Sequence, residues 1–422
     1  MLTRLDVRGQ TAPVLPRPSA GGDEPLDAVK AILAEVRAGG DGAVRDLTAR
    51  FDGIDRPVAA ITTAGAVDRI PADLREALTV AAGNIRAYHE AQRHDDETAH
   101  ERDGIVVREL RRPVERAGCY APGGRALYPS TVLMTAIPAR VAGVAEVVLC
   151  VPPRKDGTLP DEVLAAAAIA EVDEVYAIGG AQAVGAMAYG TETIRPVDVI
   201  VGPGNVYVAL AKREVAGVVG VPSSFAGPSE VVVVGDGSVR PQLAAIDVVL
   251  QAEHGPDGLA WLVTWDEAYA DLVTAEVTRI VEASPRRAEI ESTLHEGGYA
   301  VIVDGPEQAL DVANRIAPEH LELLVDDPDA LLPLVKHAGA VFCGPWAPAS
   351  VGDYLAGPNH VLPTFGSARF SEALRVDDFV KHVHVVTLDR AALDKVAPHV
   401  AALARAEGLV AHAESVELRT QG

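Results

Sequence analysis

The chain has 422 residues, 48% of them hydrophobic and 23% charged, the balance of an ordinary globular protein with room for two to four domains. A formal net charge of -23 with no segment dominated by Lys and Arg argues against a nucleic-acid partner. The first 22 residues lack a signal-peptide pattern, no apolar run approaches the ~20 residues of a membrane span, and three unpaired cysteines fit a reducing, cytoplasmic setting.

In chain order, residues 71–95 carry a long helical pattern and 106–111 read as a strand leading into the first of two alternating sets. From residue 116 the pattern changes: 116–120, 147–151, 174–178 and 197–201 are β-branched or apolar runs bounded by Gly, Pro or Asp. A second set runs through 230–234, 259–264, 299–304, 321–325 and 340–343, with helices expected over 241–253, 267–282, 306–316 and 328–337. Strands alternating with helices predict two doubly wound, Rossmann-like α/β domains built on parallel sheets. The expected division is an N-terminal helical segment, 1–115, packing on the second α/β domain; a first α/β domain, 116–229; a second, 230–375; and a tail, 376–422. Within the tail, 393–414 reads as one helix, ending in a short alternating stretch at 416–418.

Three glycine turns come after strand ends: Tyr120-Ala-Pro-Gly-Gly124, Gly179-Gly-Ala-Gln182 and Gly202-Pro-Gly-Asn205. Each opens into an expected helix, whose first N–H groups are free to meet a phosphate. The G-x-G-x-x-G fingerprint is absent, so by spacing alone the turns mark tight βα connections. Cys150 closes an apolar strand, where a buried, inert thiol is expected.

Donor residues cluster later in the chain. Gln251 and His254 are three apart near a helix end that Gly255-Pro256 would stop. Glu319 and His320 adjoin on a loop, two proton carriers of different resting charge. The stretch 344–369 is rich in Gly and Pro, has little periodicity and contains Asp353 and His360; irregular segments of this length usually serve function. Glu407 and His412 stand five apart around Gly408. Individually these residues are bland; together they supply a mixed nitrogen and oxygen shell suited to zinc.

Eight strings in order resemble the histidinol dehydrogenase family: Tyr120-Ala-Pro-Gly-Gly124, Gly180-Ala-Gln182, Gly202-Pro-Gly-Asn205, Ala226-Gly-Pro-Ser-Glu230, Gln251-Ala-Glu-His-Gly-Pro256, Pro318-Glu-His-Leu321, Gly352-Asp-Tyr354 and Asn359-His-Val-Leu-Pro363. The resemblance implies one zinc per subunit, bound by Gln251, His254, Asp353 and His412, and Glu319 and His320 as the acid–base pair. It implies substrate contacts from the four zinc ligands, from His320 and from Ser229, His360 and Glu407, and NAD contacts from Tyr120, Gln182 and Asn205. It further implies a homodimer in which the tail, carrying Glu407 and His412, completes the partner's site.

The implied reaction is the oxidation of L-histidinol through L-histidinal to L-histidine. Zinc has no redox state to offer, so its task is to orient the amino and imidazole nitrogens of the substrate. A nicotinamide takes each hydride, and two oxidations use two NAD molecules. A histidine of ordinary pKa, ~6.5, suits the base role of His320, and Glu319 beside it suits activation of water. A zinc-dependent hydrolase would use the same metal and Glu319 without NAD. A non-catalytic metal-binding protein would leave the acid–base pair without a purpose.

Overall fold

The computed structural model describes residues 1–16, 25–123, 127–223, 229–253 and 258–421. The chain opens with β1 (Thr3–Asp6), α1 (Leu26–Asp52), α2 (Ala66–Arg69), α3 (Ala72–Glu90), β2 (Glu97–Arg102) and β3 (Ile105–Pro113). The first alternating set is β4 (Arg116–Tyr120), α4 (Pro129–Ala142), β5 (Glu146–Cys150), α5 (Asp161–Ile169), β6 (Glu174–Tyr176), α6 (Gly180–Tyr189), β7 (Val199–Val201) and α7 (Val206–Val215). The second set runs β8 (Glu230–Gly235), α8 (Pro241–Ala252), β9 (Leu259–Thr264), α9 (Glu267–Ala283), α10 (Arg287–Gly297), β10 (Gly298–Ile302), α11 (Pro306–Ile316), β11 (His320–Leu324), β12 (Ala340–Cys343) and α12 (Ala349–Tyr354). The chain closes with β13 (Val380–Leu388), α13 (Arg390–Ala406) and α14 (Val410–Thr420).

The alternation yields what it promised: α/β architecture on two doubly wound parallel sheets, with helical terminal segments. The first sheet has the order β6-β5-β4-β7, every pair parallel. Its order reverses between β4 and β7, which opens a crevice beyond their carboxyl ends. There Gly202 is indispensable: it has φ +106°, and a Cβ on it would lie 2.0 Å from the Tyr120 carbonyl oxygen. The buried Lys212 of α7 donates to the Gly202 carbonyl at 2.9 Å and holds the turn from the other side.

The second sheet has the order β1-β10-β9-β8-β11-β12, again parallel, and reverses between β8 and β11. Its central strands are buried on both faces, as the unbroken run Val231-Val-Val-Val234 requires. Val231, Val233 and Leu324 pack beneath α8 and α9, while Val232, Val234, Leu321 and Leu323 pack beneath α11. Trp261 lies in the latter cluster, fully buried and stacked on Tyr299 at 4.3 Å between ring centroids.

Both sheets belong to one compact unit, residues 1–92 and 115–379, and residues 93–114 and 380–422 form another. In the latter, β13, β3 and β2 make an antiparallel sheet, and α13 packs on α14 through Ala401, Ala404 and Ala413.

The structure departs from the expectations in several places. Helices α1 to α3 pack on the helices of the first sheet, where Val29, Leu33 and Val36 join its core, while β1 adds to the second sheet. The strand expected at 106–111 forms and leads on to β4, but its own pairing is with β2 and β13. No α-helix forms over 328–337, where Leu332–Leu334, with Pro333 at its centre, makes a single 3-10 turn. The helix expected at 393–414 is two, parted by Gly408 at φ +76°, and residues 416–418 are helical within α14. The irregular stretch 344–369 contains α12 and a 3-10 turn, Ser367–Arg369.

Candidate active site

Glu319 and His320 stand at the amino end of β11, one of the two strands flanking the reversal in the second sheet. Three residues before His320, α11 ends on Ala317, which is fully buried and adopts a left-handed conformation, φ 48°. A non-glycine residue there is strained, and Pro318 beyond it cannot continue a helix; together they fix the direction in which the pair emerges.

Both side chains are buried. The Glu319 Oε2 accepts the backbone N–H of Glu230 at 3.1 Å, and the Ser229 hydroxyl also donates to this carboxylate. Burial outweighs these bonds and the nearby His320 charge, and lifts the Glu319 pKa to about 7. His320 Nδ1 lies 3.4 Å from the carbonyl of Glu230 and 3.7 Å from Glu319 Oε2, while Nε2 meets Asp353 Oδ1 at 3.1 Å. Burial works against the imidazolium, but the carboxylates of Glu319 and Asp353 prevail and raise the His320 pKa to about 9. The ordinary value expected from sequence therefore does not hold: at neutral pH the imidazole rests protonated in this arrangement. Phe342 stacks on its ring at 5.9 Å between centroids.

Asp353, on α12, accepts at its backbone carbonyl from His360 Nδ1 at 2.8 Å, and His360 Nε2 meets the Thr131 hydroxyl at 3.1 Å. Thr131 belongs to the first turn of α4, so this chain of bonds joins the carboxyl edge of the first sheet to the amino edge of the second. A cavity of about 620 Å³ opens beside it, lined by Asp353, His360, Phe342 and Asn359 among others.

Gln251 sits in the last turn of α8, which returns the chain to that same amino edge. It is buried, and its Oε1 has no hydrogen-bond partner among the described residues. A buried, unpaired amide oxygen is what a metal donor looks like without its ion. Among the described residues no three His, Cys, Asp or Glu side chains gather as a metal shell. His254, Gly255 and Pro256 lie outside the described residues, as do Gly124 and Ala226 to Pro228. Glu407 and His412 belong to the other unit, both exposed, flanking the Gly408 turn between α13 and α14. Gln251 and Asp353 are thus the two expected donors placed at one edge, and they fit the role.

The three expected nucleotide contacts border the first sheet's carboxyl edge. Tyr120 ends β4 and its hydroxyl accepts the Gly180 N–H at 3.1 Å; Gln182 is buried in the first turn of α6; Asn205 caps α7, accepting from Val208 N–H at 3.2 Å. Cys119 and Cys150 are fully buried, and burial pushes both thiols up to about 12, which leaves them inert. Sequence reasoning missed Thr131 and Phe342, since a helical Thr and a strand Phe carry no signal of the histidines they hold.

A family model described as histidinol dehydrogenase matches residues 15–420. Histidinol dehydrogenase of Moorella thermoacetica is 49% identical over 398 residues, covering 93% of this chain and 94% of that protein. That of Bacillus subtilis is 46% identical over 403 residues, covering 95% and 94%. The crystal structure of the enzyme from Elizabethkingia anophelis superposes with a TM-score of 0.93 at 31% identity, covering 99% of this chain and 98% of that one. An acetylating aldehyde dehydrogenase from Geobacillus thermoglucosidasius, 14% identical with a TM-score of 0.50 and covering 86% and 97%, shares the fold alone.

Proposed function

From the premise that this chain belongs to the histidinol dehydrogenase family, we propose that it carries out the NAD-dependent, four-electron oxidation of L-histidinol through L-histidinal to L-histidine in the cytoplasm. The observation that carries this reading is the buried Glu319–His320 pair, with one group tuned to about 7 and the other pinned between Asp353 and the Glu230 carbonyl. Such a pair suits two proton transfers of different kind at one carbon.

Gln251, His254, Asp353 and His412 would hold zinc, which when bound supplies a grip on the amino and imidazole nitrogens of the substrate. Tyr120, Gln182 and Asn205 would contact NAD, which accepts a hydride in each oxidation. Ser229, His360 and Glu407 would contact the substrate.

In the first oxidation the His320 imidazolium first gives up its Nε2 proton to solvent, and the substrate's hydroxyl proton then passes to that nitrogen as hydride leaves the carbinol carbon. The Glu230 carbonyl favours a proton on Nδ1, so Nε2 is the nitrogen that gives and takes it. Glu319, a stronger base than an ordinary carboxylate because it is buried, then takes a proton from water as the oxygen bonds the aldehyde carbon. The aldehyde oxygen takes the proton held by His320, which completes a hydrate; as its remaining hydride leaves, the freed His320 takes the hydroxyl proton again, and the acid's own proton passes to solvent. The products are a carboxylate and two reduced nicotinamides.

The exposed Glu407 and His412 support a homodimer in which each tail completes the partner copy's site. Absorbance of reduced NAD, tracked with histidinol as substrate and histidine quantified as product, tests the whole reading. Two reduced cofactors per histidine is the expected ratio; hydrolysis of an ester or amide without reduced NAD would overturn it.

A further inference from the structure

Two residues beyond His320, Glu322 interrupts an apolar strand and is wholly buried. Leu321 and Leu323 face α11 and Leu324 faces α8, so the alternation of the strand turns His320 and Glu322 toward α8. On that side the Glu322 carboxyl meets the carboxyl of Asp247, buried on α8 one turn before Gln251. Its Oε1 also accepts the N–H of Ala349 at 3.0 Å, the first residue of α12. Burial, reinforced by the Asp247 charge, keeps the proton on Glu322 far above the usual carboxylate range, so Glu322 donates to Asp247 while it accepts from Ala349.

We propose that Glu322 is a positioning residue that clamps α8 to α12 and so sets Gln251 and Asp353 in place beside His320. It rests on the reading of Gln251 and Asp353 as metal donors and of His320 as base. The bond from Glu322 reaches the α12 backbone, so the clamp depends on no other side chain of that helix. Losing such support typically weakens a metal site or its activity by about 10–100-fold.

The test is made on the full-length enzyme, with zinc affinity from competition with a chelator and kcat with histidinol. Glu322→Gln keeps an oxygen for Ala349 and an N–H for Asp247, and is expected to stay within about twofold of the parent in both. Glu322→Ala is expected to lose about tenfold or more in both while circular dichroism stays that of the parent. Ala349→Pro removes the same bond from the other end; Pro348 is already extended and the first helical position accepts proline, so the backbone there is compatible with the change, and circular dichroism checks the fold. A folded Glu322→Ala or Ala349→Pro protein with parental zinc affinity and kcat overturns the proposal. So does a Glu322→Gln variant as impaired as the alanine one. A parent that binds no zinc, or does not oxidise histidinol, instead defeats the reading beneath it.

Discussion

His320 Nε2 lies 3.1 Å from Asp353 Oδ1, although all of β12 and most of α12 separate them in the chain. The carboxylate holds a proton on the ring that catalysis must remove. In Asp353→Asn that hold is gone, and the His320 pKa is expected to fall from about 9 toward its ordinary 6.5. Titration of histidine ring signals by NMR in the metal-free protein reads this directly. A His320 that still titrates near 9 in the variant would assign the shift to Glu319 alone.

Stability should track the same protons. Both pKa values are raised on folding, so the folded chain binds these protons more tightly and stability falls as pH rises. The Glu319 contribution declines between 4.5 and about 7, and that of His320 is complete below 6.5 and lost through about 9. Thermal melts of the metal-free protein should therefore drop across this range. In Asp353→Asn the upper part of the decline should flatten, and a melting temperature rising steadily from pH 5 to 9 would contradict both shifts.

Glu319→Gln should divide the two half-reactions. It cannot take a proton from water, so oxidation of supplied histidinal is expected to slow by roughly a hundredfold, with a smaller effect on histidinol oxidation. In the parent, histidinal oxidation should weaken as pH falls through about 7, where Glu319 gains its proton, and that limb should vanish in the variant. Equal rates of histidinal oxidation in the two proteins would remove Glu319 from the water step.

Chelation should abolish turnover while leaving circular dichroism unchanged, because Gln251 hangs on α8, whose apolar residues pack into a core that needs no metal. Gln251→Ala and His254→Ala should each lower bound zinc, measured by elemental analysis after dialysis. His337→Ala, which lines a separate cavity with Arg315 and Arg369, should not.

Mixed dimers test the shared site. If His412 serves the partner, chains bearing His412→Ala refolded with chains bearing His320→Ala give hybrids with one intact site and one doubly damaged. Activity above both parents is then expected. If His412 serves its own chain, every hybrid site carries one lesion, and confirmed hybrids stay as inactive as the parents.

The parallel sheets were legible because strands buried on both faces must be continuous apolar runs, as residues 231–234 are. Elements whose signal is not apolar were not. β2 is polar, β13 mixes Val with Lys, His and Thr, and both are largely exposed, so pairing with β3 is what defines them. The helix expected at 328–337 is apolar enough in sequence, yet only a 3-10 turn around Pro333 forms there. At the site, Glu319 and His320 announced themselves by adjacency. Their tuning did not, because it depends on burial, on Asp353 and on the backbone of Glu230, residues far away in the chain; the pairing of β11 with β8 brings Glu230 beside the pair.

The Thr131–His360–Asp353 bonds bring together edges of opposite kind, and this gives the space around them an electric polarity. On the first sheet's side α4, α6 and α7 begin; on the second sheet's side α8 and α11 end. Each helix start carries roughly half a positive charge and each helix end half a negative one. The resulting field runs from the first sheet toward the second. Within about a turn of the helix termini, anionic groups are favoured on the first sheet's side and cations on the second's, so a bound molecule with charge at one end has a preferred direction. Reversing either sheet would leave every residue in the family strings intact and still lose that orientation.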